Sequence, residues 1–141
     1  MKRLQTYTLL VVCIALAAAC GDSTSPDPTN PDSIAGTYVA TTFTLSGDMS
    51  ADVLDEGGSL TITLNADSTT SGNLFVPASV ADGEELNESM VGTYSVVADT
   101  LTFNQVADTF VRDCSWIIEG SHLSASEEFS GVTITIVLAR Q

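Results

Sequence analysis

The sequence predicts an all-β protein whose folded domain is an up-and-down antiparallel barrel of eight strands. From Gly36 onward, short runs of β-branched and aromatic residues are separated by Gly, Asp, Asn and Ser. No stretch of ten or more residues keeps a helical period. Because the runs are evenly spaced and mostly joined by tight turns, closure into a barrel is the natural arrangement, since it leaves no open sheet edge. A two-sheet β-sandwich of the same strands is the alternative.

The strands are recognised by alternation and by the residues that end them. The strand over 59–65 places Leu60, Ile62 and Leu64 on one face, and Pro77 ends the strand that returns. The strands predicted in this way cover residues 37–45, 59–65, 70–76, 90–97, 100–104, 110–118, 122–129 and 132–140.

Alternation also assigns side chains to the barrel interior. The strand over 110–118 is expected to place Arg112 on the same face as Phe110 and Cys114. Arg112 then sits at the barrel mouth in water, pairs with an acid such as Glu127, or meets an anionic ligand head group, and the mouth is favoured. Cys114 has no disulfide partner and is expected to be a small core residue. The other inward candidates are Leu60, Ile62, Leu64, Leu74, Val76, Tyr94, Val96, Leu101, Phe103, Trp116, Ile118, Ile134 and Ile136.

Two longer connections, residues 46–58 and 77–89, interrupt the regular pattern and are rich in acidic residues. Clustered carboxylates can bind Ca²⁺, but neither connection has the ligand spacing of an EF-hand loop. We therefore expect solvated loops, with no metal site and no cofactor. The acidic residues concerned are Asp48, Asp52, Asp55, Glu56, Asp82, Glu84, Glu85 and Glu88.

Residues 1–19 are predicted to be a secretory signal peptide. A basic start is followed by an uncharged apolar run over 9–19, which is too short to span a bilayer as a helix. The run ends in three alanines and Cys20, a pattern that resembles a bacterial lipobox, in which the Cys sulfur receives a diacylglyceryl group before cleavage. Gly21 stands where many lipoproteins of the inner membrane carry Asp. The expected location is the cell envelope, at the outer membrane, facing the periplasm or the cell surface.

Residues 20–33 are interpreted as the lipidated Cys followed by a Pro/Ser/Asp-rich tether, and residues 34–141 as one folded domain. The prolines of the tether favour an extended spacer. Without the signal peptide the chain keeps two Arg and no Lys against 18 acidic residues. A negative field of this kind opposes binding to nucleic acid and to anionic lipid head groups. Membrane attachment is therefore expected to come from the lipid on Cys20.

Short motifs in the domain are repeated. Gly-Thr-Tyr occurs at residues 36–38 and 92–94, and each copy is followed by a Leu-Thr strand. With the turn at residues 65–69, this pattern resembles the lipocalin-like (calycin-type) domains of bacterial lipoproteins, with Tyr38 in place of the lipocalin Trp. The resemblance implies that Arg140 on the last strand packs across Tyr38 and closes one end of the barrel.

Two functions fit these observations. A membrane-anchored barrel of this size can bind a small hydrophobic ligand, or it can have a filled core and serve as a structural or protein-interaction lipoprotein. For the first function, the inward-facing Arg112, Trp116, Phe103 and Tyr94 are the candidate ligand-binding residues. An enzyme is not expected, because His122 is the one histidine and no nucleophile-elbow, zinc-protease or phosphate-loop motif is present. No particular protein partner is indicated.

Overall fold

Eight antiparallel strands close into a barrel in the computed structural model, which describes residues 30–141. Neighbouring strands follow the order β10-β9-β8-β7-β6-β4-β3-β1, and pairing between β1 and β10 closes the ring. Two extra strands, β2 and β5, lie beside β1 and β4. The predicted barrel is thus confirmed, and the sandwich alternative is wrong. The strands are β1 (Gly36–Gly47), β2 (Ala51–Asp52), β3 (Ser59–Leu64), β4 (Thr69–Val76), β5 (Leu86–Ser89), β6 (Gly92–Val97), β7 (Thr100–Gln105), β8 (Trp116–Glu119), β9 (His122–Phe129) and β10 (Val132–Arg140).

The closing pair, β1 with β10, runs from Tyr38 opposite Arg140 to Gly47 opposite Val132. The register shifts between Ala40 and Thr42, which marks a β-bulge in β1. A bulge bends the strand and increases its twist, and both changes help a long strand follow the curve of a barrel.

The barrel interior is filled by the side chains that alternation assigns to it. Of the predicted inward residues outside the segment 110–114, all are buried except Val96, which is half-buried and packs against the core. Trp116 and Phe103 meet edge to face, with ring centroids 5.7 Å apart. Because the large side chains occupy the space themselves, the middle of the barrel is a packed core, as an eight-stranded barrel allows.

The predicted strand over 110–118 is wrong in its first half. Phe110–Asp113 form a short helix, α2, and β8 begins only at Trp116. Phe110 and Cys114 are four residues apart and share a face in either a helix or a strand, so alternation alone does not distinguish the two. The indole N–H of Trp116 donates to the Val111 carbonyl at 3.0 Å, which fixes the end of α2 against the core.

The two ends of the barrel differ. The end called here the α1 end carries three tight turns and the helix α1 (Pro31–Ile34). Pro31, predicted to lie in the extended tether, is the first residue of this helix, where its fixed φ and missing N–H are tolerated. Ile34 is buried and covers the core from this side.

The opposite end, called the loop end, carries the long connections. They join β1 to β3, β4 to β6 and β7 to β8, and contain β2, β5 and α2 respectively. The first two were predicted as solvated loops, and their carboxylates are largely exposed. Each connection also buries an apolar residue, Val53 in the first and Val80 in the second, so both fold over the barrel.

Candidate functional site

An apolar pocket of about 200 Å³ lies at the loop end. Its floor is formed by buried side chains and its rim by half-buried ones, so it opens toward solvent. Every lining residue is apolar, which makes the pocket suited to a hydrocarbon group. The lining residues are Phe43, Leu45, Met49, Val53, Val76, Val80, Ala81, Leu86, Phe110, Phe129, Val132 and Ile134.

The floor of this end pocket comes from inward positions of the closing strands. Phe43 and Leu45 alternate inward on β1, and Ile134 lies opposite Leu45 on β10. The rings of Phe43 and Phe110 have centroids 5.7 Å apart and planes tilted by 55°, so α2 forms one wall.

The two acidic connections supply Met49, Val53, Val80, Ala81 and Leu86 to the lining. The Val53 N–H donates to the Phe43 carbonyl at 2.8 Å, and the Gly58 N–H donates to the Val53 carbonyl at 2.7 Å. A Cβ on Gly58 would lie 2.4 Å from a Val53 methyl carbon, so the close approach of the loop to itself requires glycine there. On the other side, Ala81 is held by a turn in which its N–H donates to the Pro77 carbonyl.

Two larger depressions lie on the outer surface. One, of about 400 Å³, runs along β8 to β10 and is lined partly by serines, Thr135 and Glu127. The other, of about 440 Å³, lies beside the exposed Val91 and Val106. Scattered exposed valines are ordinary on a soluble surface. The end pocket is smaller, but its fully apolar lining makes it the better candidate site.

The structure does not bring the four predicted ligand-binding residues together at this pocket. Trp116, Phe103 and Tyr94 are part of the packed interior, at most 5% exposed. The hydroxyl of Tyr94 donates to the Asn65 carbonyl at 2.8 Å, at the α1 end. None of the three is among the residues that line the end pocket.

Arg112 is not on the inner face of the barrel, in contrast to the prediction. Because it belongs to α2 and not to a strand, alternation does not apply to it, and Arg112 is not among the residues that line the pocket. Its Nε donates to Asp113 at 3.0 Å and its Nη2 donates to Asp108. These acids, and not Glu127, are its partners, and the pocket lining offers no cation to an anionic head group, the third alternative considered for Arg112.

Buried polar groups without partners lie near α2. Gln105, at the end of β7, is 4% exposed, and neither its amide oxygen nor its amide nitrogen has a hydrogen-bond partner in the described residues. The hydroxyl of Thr109, which precedes α2, is also buried and has no hydrogen-bond partner in the described residues. By contrast, the buried hydroxyl of Thr70 donates to the Met90 carbonyl at 2.7 Å. An unpaired buried polar group costs free energy, so these two side chains weaken the core near the loop end.

Tyr38 and Arg140, predicted to close the barrel, both hold α1 against its end. The Tyr38 hydroxyl donates to the Ile34 carbonyl at 2.8 Å, and Arg140 Nη1 donates to the Ser33 carbonyl at 2.9 Å. A Cβ on Gly36 would lie 2.6 Å from Arg140 Nε, so the guanidinium lies over this glycine. Burial raises the pKa of Tyr38, and the charge of Arg140 opposes that rise.

The remaining predicted chemistry is sparse in the described residues. Cys114 is a free, buried thiol, as predicted, and burial raises its pKa to about 11. His122 is exposed at the α1 end. Within residues 30–141, no group of three or more His, Cys, Asp or Glu is arranged to hold a metal ion.

The predicted signal peptide and lipidated Cys20 lie outside the described residues. Among residues 30–141, no helix has the length and apolar character needed to cross a membrane. Comparison with models of protein families, with curated proteins and with solved structures finds no match for this chain. The site is therefore characterised by its geometry: a closed antiparallel barrel with an apolar pocket at one end.

The pocket is not predictable from the sequence by alternation, because its lining comes from two kinds of position. Strand residues such as Phe43 and Ile134 follow alternation, but Met49, Val80 and Ala81 lie in connections that have no period. The available signal was the presence of isolated apolar residues within otherwise acidic loops, since solvated loops have no need of them.

Proposed function

We propose that this protein is a lipid-anchored binding module that takes a small hydrophobic group into the end pocket. The observation that supports the proposal most directly is the continuous apolar lining, from the buried floor at Phe43 to the half-buried rim at Leu86. Replacement of water by hydrocarbon in an exposed apolar pocket lowers the free energy of the complex. The barrel is compatible with the lipocalin-like fold, whose end pocket suits such a role.

The size of the pocket limits the ligand. An apolar cavity of about 150 Å³ holds one benzene molecule, so about 200 Å³ accommodates roughly eight carbon atoms. The pocket thus fits a medium-length alkyl chain, or the end of a longer one. Each buried CH₂ contributes about 0.8 kcal/mol before the cost of association is subtracted.

The membrane anchor is the second part of the proposal. The lipobox-like sequence ending at Cys20 supports it, together with the lack of Lys after residue 2. The folded domain begins at α1, at the end of the barrel opposite the pocket. The tether therefore joins the α1 end, and the pocket can face away from the membrane that holds the lipid.

A filling substitution tests the binding site. Ala81 lines the pocket and Ala107 lies at the outer depression, so Ala81→Leu and Ala107→Leu add the same atoms inside and outside the site. Ala81→Leu is expected to weaken binding of 1-octanol about tenfold or more, because three added carbons occupy space that the ligand needs. The Ala107→Leu variant is expected to bind 1-octanol with the same affinity as the unmodified protein. Equal affinity of all three proteins would refute the end pocket as the site.

The packed interior favours a second candidate, a structural or protein-interaction lipoprotein with no small-molecule ligand. Trp116, Leu101 and Ile62 are fully buried, and the middle of the barrel is filled by such side chains. If 1-octanol does not bind and no small molecule co-purifies with the protein, this candidate replaces the first.

A further inference from the structure

The mouth of the end pocket is bordered by carboxylates. Five residues of the lining have an acidic residue as a direct neighbour in the chain, and all five of these acids are exposed. Because they are exposed and directly follow or precede lining residues in the chain, these acids add negative charge to the loop end, which is the end at which the pocket opens. The pairs are Asp48 with Met49, Asp52 with Val53, Asp82 with Ala81, Glu85 with Leu86, and Glu128 with Phe129.

The cations of the described residues do not neutralise this rim. Arg112 is held by Asp108 and Asp113, and Arg140 lies at the opposite end of the barrel, where it binds the Ser33 carbonyl. No lysine follows residue 2 in the sequence. Other carboxylates of the loop end add to the negative field, among them Asp55, Glu56, Glu84 and Glu127.

We propose that the end pocket selects amphiphiles with a cationic head group, such as alkylammonium ions, over neutral and anionic ones of the same chain length. The proposal rests on the proposed function and names the class of ligand for the same site. The alkyl chain occupies the apolar pocket, and the head group stays hydrated at the rim, among the carboxylates. A carboxylate head group there would meet charges of its own sign at Asp82 and Glu85.

The size of the preference for a cationic head group follows from the electrostatic potential of the rim carboxylates. Clefts lined by charge of one sign reach potentials of several kT, so a potential of about 2 kT at the rim favours a monovalent cation roughly eightfold over a neutral group. An anion is disfavoured by a similar factor. Because the rim carboxylates are exposed, added salt screens them, and the preference shrinks markedly between about 0.02 M and 0.5 M ionic strength.

The test compares 1-octylamine, 1-octanol and octanoate, which at pH 7 carry cationic, neutral and anionic head groups on equal chains. The protein is the chain with Cys20→Ser, which keeps the whole described domain and needs no detergent. Calorimetric or NMR titration is expected to rank octylammonium first and octanoate last. Equal affinities, or tighter binding of octanoate, would refute the preference for cationic head groups without refuting the end pocket as the binding site. Binding of none of the three would overturn the proposed function as well.

Two double variants distinguish the effect of the rim carboxylates from the effect of the protein's net charge. Asp82→Asn with Glu85→Gln removes two charges beside Ala81 and Leu86, and Asp99→Asn with Glu119→Gln removes two at the α1 end. The rim variant is expected to lose severalfold in its preference for octylammonium over octanol. The α1-end variant is expected to keep the preference. Equal losses in both variants would show that net charge, and not the rim, sets the preference.

Discussion

Thr109 and Thr70 are both buried, but their hydroxyls differ in a way that predicts opposite effects of the same substitution. The Thr70 hydroxyl donates to the Met90 carbonyl, and the Thr109 hydroxyl has no partner in the described residues. Valine has nearly the shape of threonine and lacks the hydroxyl. Thr109→Val is therefore expected to stabilise the fold, and Thr70→Val to destabilise it.

The magnitudes follow from the cost of an unpaired polar group. Burial of a hydroxyl without a partner costs about 1–3 kcal/mol, so its removal in Thr109→Val returns about that amount. Thr109 makes no capping hydrogen bond to α2, so no such bond is lost. In Thr70→Val the Met90 carbonyl loses a donor at 2.7 Å, which costs about 1–3 kcal/mol. The two variants are expected to differ by about 2–6 kcal/mol in free energy of unfolding.

Urea denaturation at pH 7 measures this difference, with equal m-values required for the comparison. Gln105→Met repeats the test at the second site, because Met has a similar length and the Gln105 amide has no partner for either polar atom. Its expected effect is also stabilising. If Thr109→Val and Gln105→Met both destabilise by about 1 kcal/mol or more, the two groups are satisfied in the native protein and the reasoning is refuted.

Three further predictions concern the ends of the barrel, the thiol and the anchor. Tyr38→Phe removes the hydrogen bond to Ile34 and is expected to cost about 1 kcal/mol and to speed amide exchange at Ala35; unchanged exchange would contradict this role. The pKa of Cys114 is raised from its ordinary 9.0 to about 11, so the unfolded chain releases the proton first and stability falls as pH rises through this window. The stability of the Cys114→Ala variant is expected to fall less steeply with rising pH than that of the unmodified protein. Equal slopes would contradict the raised pKa of Cys114. Cys20→Ser is expected to move the protein from the membrane to the soluble fraction; a membrane-bound variant would exclude the lipid anchor.

The sequence was sufficient to predict the barrel because its strands carry a strict period of two. Leu60, Ile62 and Leu64 are all buried on β3, as alternation requires. The same rule failed at Arg112, because a four-residue helix offers too few positions for a helical period to be recognised. Phe110 and Cys114 share a face in either a helix or a strand, and the hydrogen bond from Trp116 to Val111 that favours the helix is a tertiary contact.

The pocket was less predictable than the strands. Inward positions such as Phe43 lie on a strand, but whether their side chains meet or leave space depends on how the connections fold over them. Val53 and Val80 are buried by that folding, and no local sequence pattern predicts their burial. One partner of Arg112 was missed for a related reason, since Asp108 comes within hydrogen-bonding distance of it only once α2 has formed.

The dependence of affinity on chain length shows whether the end pocket binds hydrocarbon. In a series of linear alcohols, each CH₂ that enters the end pocket is expected to strengthen binding about fourfold, from its contribution of about 0.8 kcal/mol. Because a pocket of about 200 Å³ holds roughly eight carbons, the gain is expected to stop near 1-octanol. A plateau there, with methyl NMR shifts confined to Leu45, Val80 and Leu86 and their neighbours, agrees with the account. No binding at any length, or affinity that climbs steadily through 1-dodecanol with shifts at Leu60 and Ile62, contradicts it.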